Sequence, residues 1–198
     1  MLVQNVDTYH DETKNLLENF NFSPRWLMDD IMVSYSAKGG SVGGHMDSYH
    51  VFLVQGKGKR RWKVSNKTLQ GKECLNNKDL LVFKEEFEGH EVEVETGDVI
   101  YIPPYFGHQG VTIEEAMTFS VGFLGPKISD ILSEYCYYLE ENPELNKRYM
   151  GQELDESSAG FKIPNDASKL IQSSLIKSIK DDNFSNWLAE YFLRSNDD

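Results

Sequence analysis

The sequence predicts a mainly antiparallel β-domain, a sandwich or barrel, followed by a helical region. Three observations carry that expectation. Between residues 26 and about 124 the chain repeats short β-branched and aromatic runs, IMVSYS, YHVFLVQG, RRWKV, LLVF, HEVEVETG, DVIYIPP and AMTFSVGF. Glycines punctuate these runs, and short strands spaced by turn signals form sandwiches or barrels. From about Ser129 the texture changes, and apolar residues recur at helical spacing.

Each element follows from local chemistry. DTYHDETKNLLENF predicts a short helix with Asp7 or Thr8 as its cap. VFLVQ-GKGK-RRWKV predicts a hairpin turned by Gly56 and Gly58. HEVEVE alternates charged and apolar residues, as a strand with one solvated face does. SDILSEYCYYLEEN places Ile131, Leu132, Tyr135, Tyr138 and Leu139 at helical spacing, with Ser129 as cap and Pro143 as stop. Residues 151–165 read as a polar connection. ASKLIQSSLIKSIK and NFSNWLAEYFLRS are amphipathic, and Tyr135, Tyr137, Tyr138, Trp187, Tyr191 and Phe192 read as helix-packing residues. The expected division is a β-core over 1–125 and a helical region over 126–198.

Composition narrows the function classes. The 198 residues carry a formal net charge of −12, which opposes direct nucleic-acid binding and suits a cationic partner. No segment approaches the roughly 18 apolar residues that span a bilayer, so a soluble cytoplasmic protein is expected. Cys74 and Cys136 stand far apart in no CxxC arrangement, which excludes a disulfide framework. His10 and His90 read as surface residues.

One constellation carries chemistry. In GGSVGGHMDSYHVFLVQG, His45 and Asp47 lie two apart in an extended stretch, so both side chains face one way. One imidazole and one carboxylate make two-thirds of the facial triad that holds non-haem iron(II) with open positions. GDVIYIPPYFGHQG supplies the third member, His108, on a lead-in stiffened by Pro103 and Pro104. In RRWKV, Arg60, Trp62 and Val64 share one face, with Arg61 and Lys63 on the other. An inward Arg60 is costly unless it meets an anion, and the distal carboxylate of a dicarboxylate co-substrate is such an anion.

The stretches WLMDDIMVSYSAKGGSVGGHMDSYHVFLVQGKGKRRWKV, GDVIYIPPYFGHQGVT and AMTFSVGF resemble the JmjC-type 2-oxoglutarate oxygenases of the cupin superfamily. They are most similar to the bacterial ribosomal oxygenases that hydroxylate an arginine of ribosomal protein uL16. The resemblance implies a double-stranded β-helix with iron(II) held by His45, Asp47 and His108, using 2-oxoglutarate and O₂. It implies that Arg60 grips 2-oxoglutarate, that Ser34 lines the co-substrate pocket, and that Thr118 and Ser120 lie near it. Tyr35, Tyr49, Tyr105 and Phe106 are expected around the mouth. The substrate implied is a basic ribosomal protein, and the helical region implies a homodimer. Family members carry further barrel strands before the matched segment and a winged-helix domain after it, so a core short of N-terminal strands is expected. His50 stands where such relatives carry an acid.

Three other readings compete at this point. A JmjC-type hydroxylase of a different substrate keeps the same triad. A non-catalytic cupin module binds metal without turnover. A zinc cupin of isomerase type needs a fourth protein ligand, for which His50 is the nearest candidate.

Overall fold

A computed structural model of the chain describes residues 1–75, 80–151, 163 and 165–194. The chain divides into two compact units, Met1–Gly125 and Pro126–Asp198. Among its described residues the first holds ten strands: β1 (Leu2–Val3), β2 (Met28–Ser36), β3 (His45–Met46), β4 (His50–Lys57), β5 (Lys59–Thr68), β6 (Leu81–Val82), β7 (Gly89–Glu95), β8 (Val99–Ile102), β9 (Phe106–Thr112) and β10 (Ala116–Phe123). They form two five-stranded antiparallel sheets, ordered β1-β2-β10-β4-β8 and β6-β3-β9-β5-β7. This is the double-stranded β-helix that the sequence resemblance implied.

Side-chain alternation builds two layers of core from the same strands. Val51 and Leu53 of β4 turn inward to meet Trp62, Val94 and Ile102. On the other face of the first sheet, Ile31, Val121 and Phe123 pack beneath Leu17 and Phe20, which follow the short helix α1 (Asp11–Leu16). Ile31 and Val121 are wholly buried, which contributes about 1.5–3 kcal/mol for each such side chain. A third cluster of Met46, Phe83 and Phe87 backs the second sheet.

Two local expectations are corrected. VFLVQ-GKGK-RRWKV is not a hairpin. β4 pairs with β10 and β8, while β5 pairs with β9 and β7, so the glycines carry the chain from one sheet to the other. Gly58 has φ +69, and a Cβ there would lie 2.0 Å from the Glu115 carbonyl oxygen. HEVEVE does form a strand with its glutamates solvated, as its alternation implied, and it lies at a sheet edge where Val94 is buried and Val92 remains exposed. Helix α1 is capped by His10, whose Nδ1 accepts from the Thr13 N–H. Asp7 instead accepts from the Ile31 N–H and ties the N-terminal segment to β2.

The second unit contains α2 (Ile128–Glu141), α3 (Asn165–Ile179) and α4 (Asp182–Arg194). Lys127, not Ser129, is the cap of α2, and Asn142 ends it one residue before Pro143. The Tyr135 ring packs 4.8 Å from Phe184 and 4.9 Å from Trp187, and its hydroxyl donates to the Ser178 carbonyl at 3.2 Å. Tyr138 joins this aromatic cluster, whereas Tyr137 is exposed. Leu170, Leu175, Ile176 and Ile179 leave α3 with an exposed apolar stripe. The polar connection expected over 151–165 lies largely outside the described residues.

Gly58→Ala should lower stability by about 1–3 kcal/mol from left-handed strain alone, with the carbonyl clash adding to it. Urea unfolding monitored by circular dichroism tests this, and an unchanged midpoint would refute the role given to Gly58.

Candidate metal centre

The two histidines are brought together by register. His45 of β3 lies directly opposite His108 of β9, and Met46 lies opposite Gly107. Directly opposed residues point to the same face of a sheet, so both imidazoles enter the barrel and their rings stand 4.2 Å apart. Asp47 follows β3 and extends the alternation, placing Oδ2 3.4 Å from His108 Nε2. Ligand atoms of His45, Asp47 and His108 all lie within 4.8 Å of one another. His108 sits within strand β9 rather than on the loop after the prolines. The loop contributes differently, because the Tyr105 N–H donates to the Asp47 carbonyl at 2.7 Å and fixes the carboxylate's backbone.

Each imidazole is oriented from behind. His45 Nδ1 lies 3.1 Å from the Gly43 carbonyl, and His108 Nδ1 lies 3.1 Å from the Phe106 carbonyl. A carbonyl can only accept, so each Nδ1 carries the proton and each Nε2 keeps a lone pair for the cavity. Burial, and then the neighbouring His108, push the His45 imidazole below its ordinary pKa, favouring the neutral form that a metal needs. A glycine precedes each histidine. A Cβ on Gly44 would meet Phe87 at 2.9 Å, and one on Gly107 would meet Leu69 at 2.6 Å and Phe83 at 3.0 Å. The missing side chains let that aromatic cluster lie flat against the ligand-bearing backbone.

The triad opens into a cavity of ≈ 270 Å³. Arg60 lines it, 8% exposed, with its guanidinium 5.9 Å from the Trp62 ring centre. Nη2 donates to Ser36 Oγ at 2.7 Å, and Nε is buried with no partner. Among the described residues no carboxylate pairs with it. Burial lowers its pKa with no opposing acid, yet a guanidinium stays protonated. The cavity therefore contains a desolvated cation with donor capacity to spare.

The other expected residues divide. Ser34 and Ser120 line the cavity, as do Tyr35 and Tyr49. Thr118 does not, since its hydroxyl is given to Gln55 Oε1 at 3.0 Å. Tyr105 and Phe106 also lie off its wall. Burial, followed by Asp47, Asp30 and Asp29, holds the Tyr49 phenol far above its ordinary pKa, so it remains a hydroxyl. His50 Nδ1 pairs with the Tyr101 hydroxyl at 2.6 Å, and it is not a fourth member of the triad. The zinc-isomerase reading thereby loses its candidate ligand. Ser36 and Thr112 went unnoticed in the sequence. The alternation Met32, Ser34, Ser36 would have found the first, and His108, Gly110, Thr112 the second.

Two histidines and a carboxylate converging on the inner cavity of a double-stranded β-helix form a candidate metal centre. The chain belongs to the JmjC-domain family, whose domain matches residues 15–131. It is 36% identical over 197 residues to the ribosomal protein uL16 3-hydroxylase of Escherichia coli (strain K12), covering 98% of this chain and 52% of that protein. It is 40% identical over 148 residues to a "Probable ribosomal oxygenase" of Haemophilus influenzae, covering 74% of this chain and 37% of that one. The chain thus spans about half or less of the curated relatives it matches. The E. coli ribosomal oxygenase in complex with cobalt and 2-oxoglutarate superposes with a TM-score of 0.80 at 32% identity, covering 96% of this chain and 50% of that one. An X-ray structure of the E. coli protein gives a TM-score of 0.83 at 33% identity, covering 96% and 51%.

The geometry predicts one cobalt(II) per chain, and Asp47→Ala should weaken its binding by about 100-fold or more. Visible absorption during cobalt titration reads this directly, and equal affinity in the variant would remove Asp47 from the ligand set.

Proposed function

We propose that this chain is an iron(II)- and 2-oxoglutarate-dependent protein hydroxylase that acts on an arginine of ribosomal protein uL16. The observation that carries the reading is Arg60. A buried cation without an acid is costly on its own. Its position in the same cavity as the triad suits a ligand that offers a carboxylate to the guanidinium and a second anionic end to a metal. 2-Oxoglutarate has that form, and the E. coli relative is known in complex with it.

His45, Asp47 and His108 would hold iron(II) through Nε2, a carboxylate oxygen and Nε2. Three protein ligands leave open positions, and the supporting hydrogen bonds keep both imidazoles in the tautomer that ligates. Bound iron(II) supplies the oxidising chemistry, in which 2-oxoglutarate, O₂ and a C–H bond become succinate, CO₂ and C–OH. Arg60 anchors the distal carboxylate, while Ser34 and Ser120 line the wall between the sheets. Trp62, Val51 and Leu53 form the apolar lining that limits water.

Two features support the protein target. The chain's formal charge of −12 suits a basic ribosomal protein and disfavours direct RNA binding. Of the curated relatives, one is named a ribosomal protein uL16 3-hydroxylase and another a probable ribosomal oxygenase. Among the described residues no helix is long and apolar enough to cross a membrane, and a cytoplasmic location follows from a ribosomal target. The exposed apolar stripe of α3 suits a homodimer formed through the helical unit.

Arg60→Met keeps bulk and removes charge. It should raise the KM for 2-oxoglutarate by at least about 30-fold, since losing one partner of a buried charge pair costs about 2–5 kcal/mol. Succinate release measured against 2-oxoglutarate concentration would show it, and an unchanged KM would overturn the anchor. Incubating the protein with uL16, iron(II) and 2-oxoglutarate should add one oxygen to an arginine peptide by mass spectrometry. Oxygen on another residue type, or succinate formed without any uL16 product, would overturn the target assignment.

A further inference from the structure

We propose that Thr112 is a positioning residue for Arg60, acting through Ser36 to aim the guanidinium at the distal carboxylate of the co-substrate. The proposal rests on the reading of Arg60 given above and deepens it.

Arg60 Nη2 donates to Ser36 Oγ at 2.7 Å. A guanidinium only donates, so Ser36 must accept. Ser36 Oγ is in turn hydrogen-bonded to Thr112 Oγ1. Thr112 is 2% exposed, and among the described residues its hydroxyl pairs with Ser36. A buried hydroxyl costs stability where an isosteric valine would not. Packing alone gives no reason for threonine here, whereas the bond to Ser36 does.

The backbone holds Thr112 firmly enough to act as a reference point. It lies directly opposite Arg60 in the β5–β9 ladder. Its N–H donates to the Gly40 carbonyl at 3.0 Å, and its carbonyl accepts from the Gly39 N–H at 2.8 Å. Thr112 therefore joins three segments, namely the strand of His108, the strand of Arg60 and the turn that follows Ser36. The chemistry of the partners also matters. A carboxylate beside Arg60 would fix it but neutralise it and compete with the ligand. Two hydroxyls fix it and leave its charge for the ligand. Whichever hydroxyl donates to the other, Ser36 Oγ stays pinned, and without Thr112 it is free to rotate.

The test compares two ligands by calorimetric titration into the cobalt(II)-loaded full chain. One is 2-oxoglutarate, and the other is 2-oxopentanoate, which keeps the metal-binding end and lacks the distal carboxylate. Thr112→Val should weaken 2-oxoglutarate by about threefold to tenfold, the worth of one buried hydrogen bond, and leave 2-oxopentanoate unchanged. Thr112→Ser should restore unaltered affinity. Ser36→Ala should show the same selective loss, and it serves if the valine variant misfolds. If Thr112→Val binds 2-oxoglutarate normally, the positioning role is overturned and the Arg60 reading stands. If it weakens both ligands equally, its role is structural and the proposal fails. If the unaltered protein does not distinguish the two ligands, Arg60 is not the anchor, and both claims fall together.

Discussion

The site depends on the register between β3 and β9. His45 and His108 face each other across one antiparallel pair, and the side-chain period of a strand is two. A slip of one residue would turn His45 out of the barrel and Met46 into it. Met46 opposes this slip, because it is buried with Phe83 and Phe87 on the outer face. β3 is only two residues long, so its own ladder is a weak constraint. The aromatic packing behind Gly44 and Gly107, together with the Tyr105 bond to Asp47, supplies the precision that two hydrogen-bonded pairs do not.

Arg60 imposes the complementary demand. The triad needs neutral imidazoles, and burial favours that form at His45. The Arg60 cation would be unstable against an apolar wall without polar contact. Ser36 and Trp62 give it partial compensation through a neutral acceptor and a ring face. Neither quenches the charge. The fold thus bears a desolvation cost, which in the proposed function the distal carboxylate of the co-substrate relieves.

Much of this was legible in the sequence, for physical reasons. Alternation is a local rule, so the shared face of His45 and Asp47 and the inward face of Arg60 and Trp62 could be read directly. The β-texture and the three later helices were legible by the same periodicities. What failed was decided by partners distant in sequence. GKGK has the composition of a hairpin, yet Glu115 and Phe119 pack over it and the strands on either side join different sheets. Asp7 has the chemistry of a helix cap, but Ile31 offered it a backbone N–H first. Thr118 was expected near the co-substrate pocket, but it is off the cavity wall, and Gln55, far along the chain, claims its hydroxyl.

Ser36 and Thr112 show a different limit. Alternation places both on the inner face, but serine and threonine are common there without function, so nothing local marks them. Their meaning comes from Arg60, and Arg60's meaning comes from the absence, among the described residues, of an acid paired with it. Such an absence has no signature in a linear sequence, since Asp47 lies only thirteen residues away and could have been its partner. It is spent instead on the triad, where Oδ2 lies beside His108 Nε2. Among the described residues Asp47 is the carboxylate that lines the cavity, and its place beside the histidines leaves the guanidinium open. That division lets one barrel hold a ligand set suited to a divalent cation and a guanidinium suited to a carboxylate without the two neutralising each other.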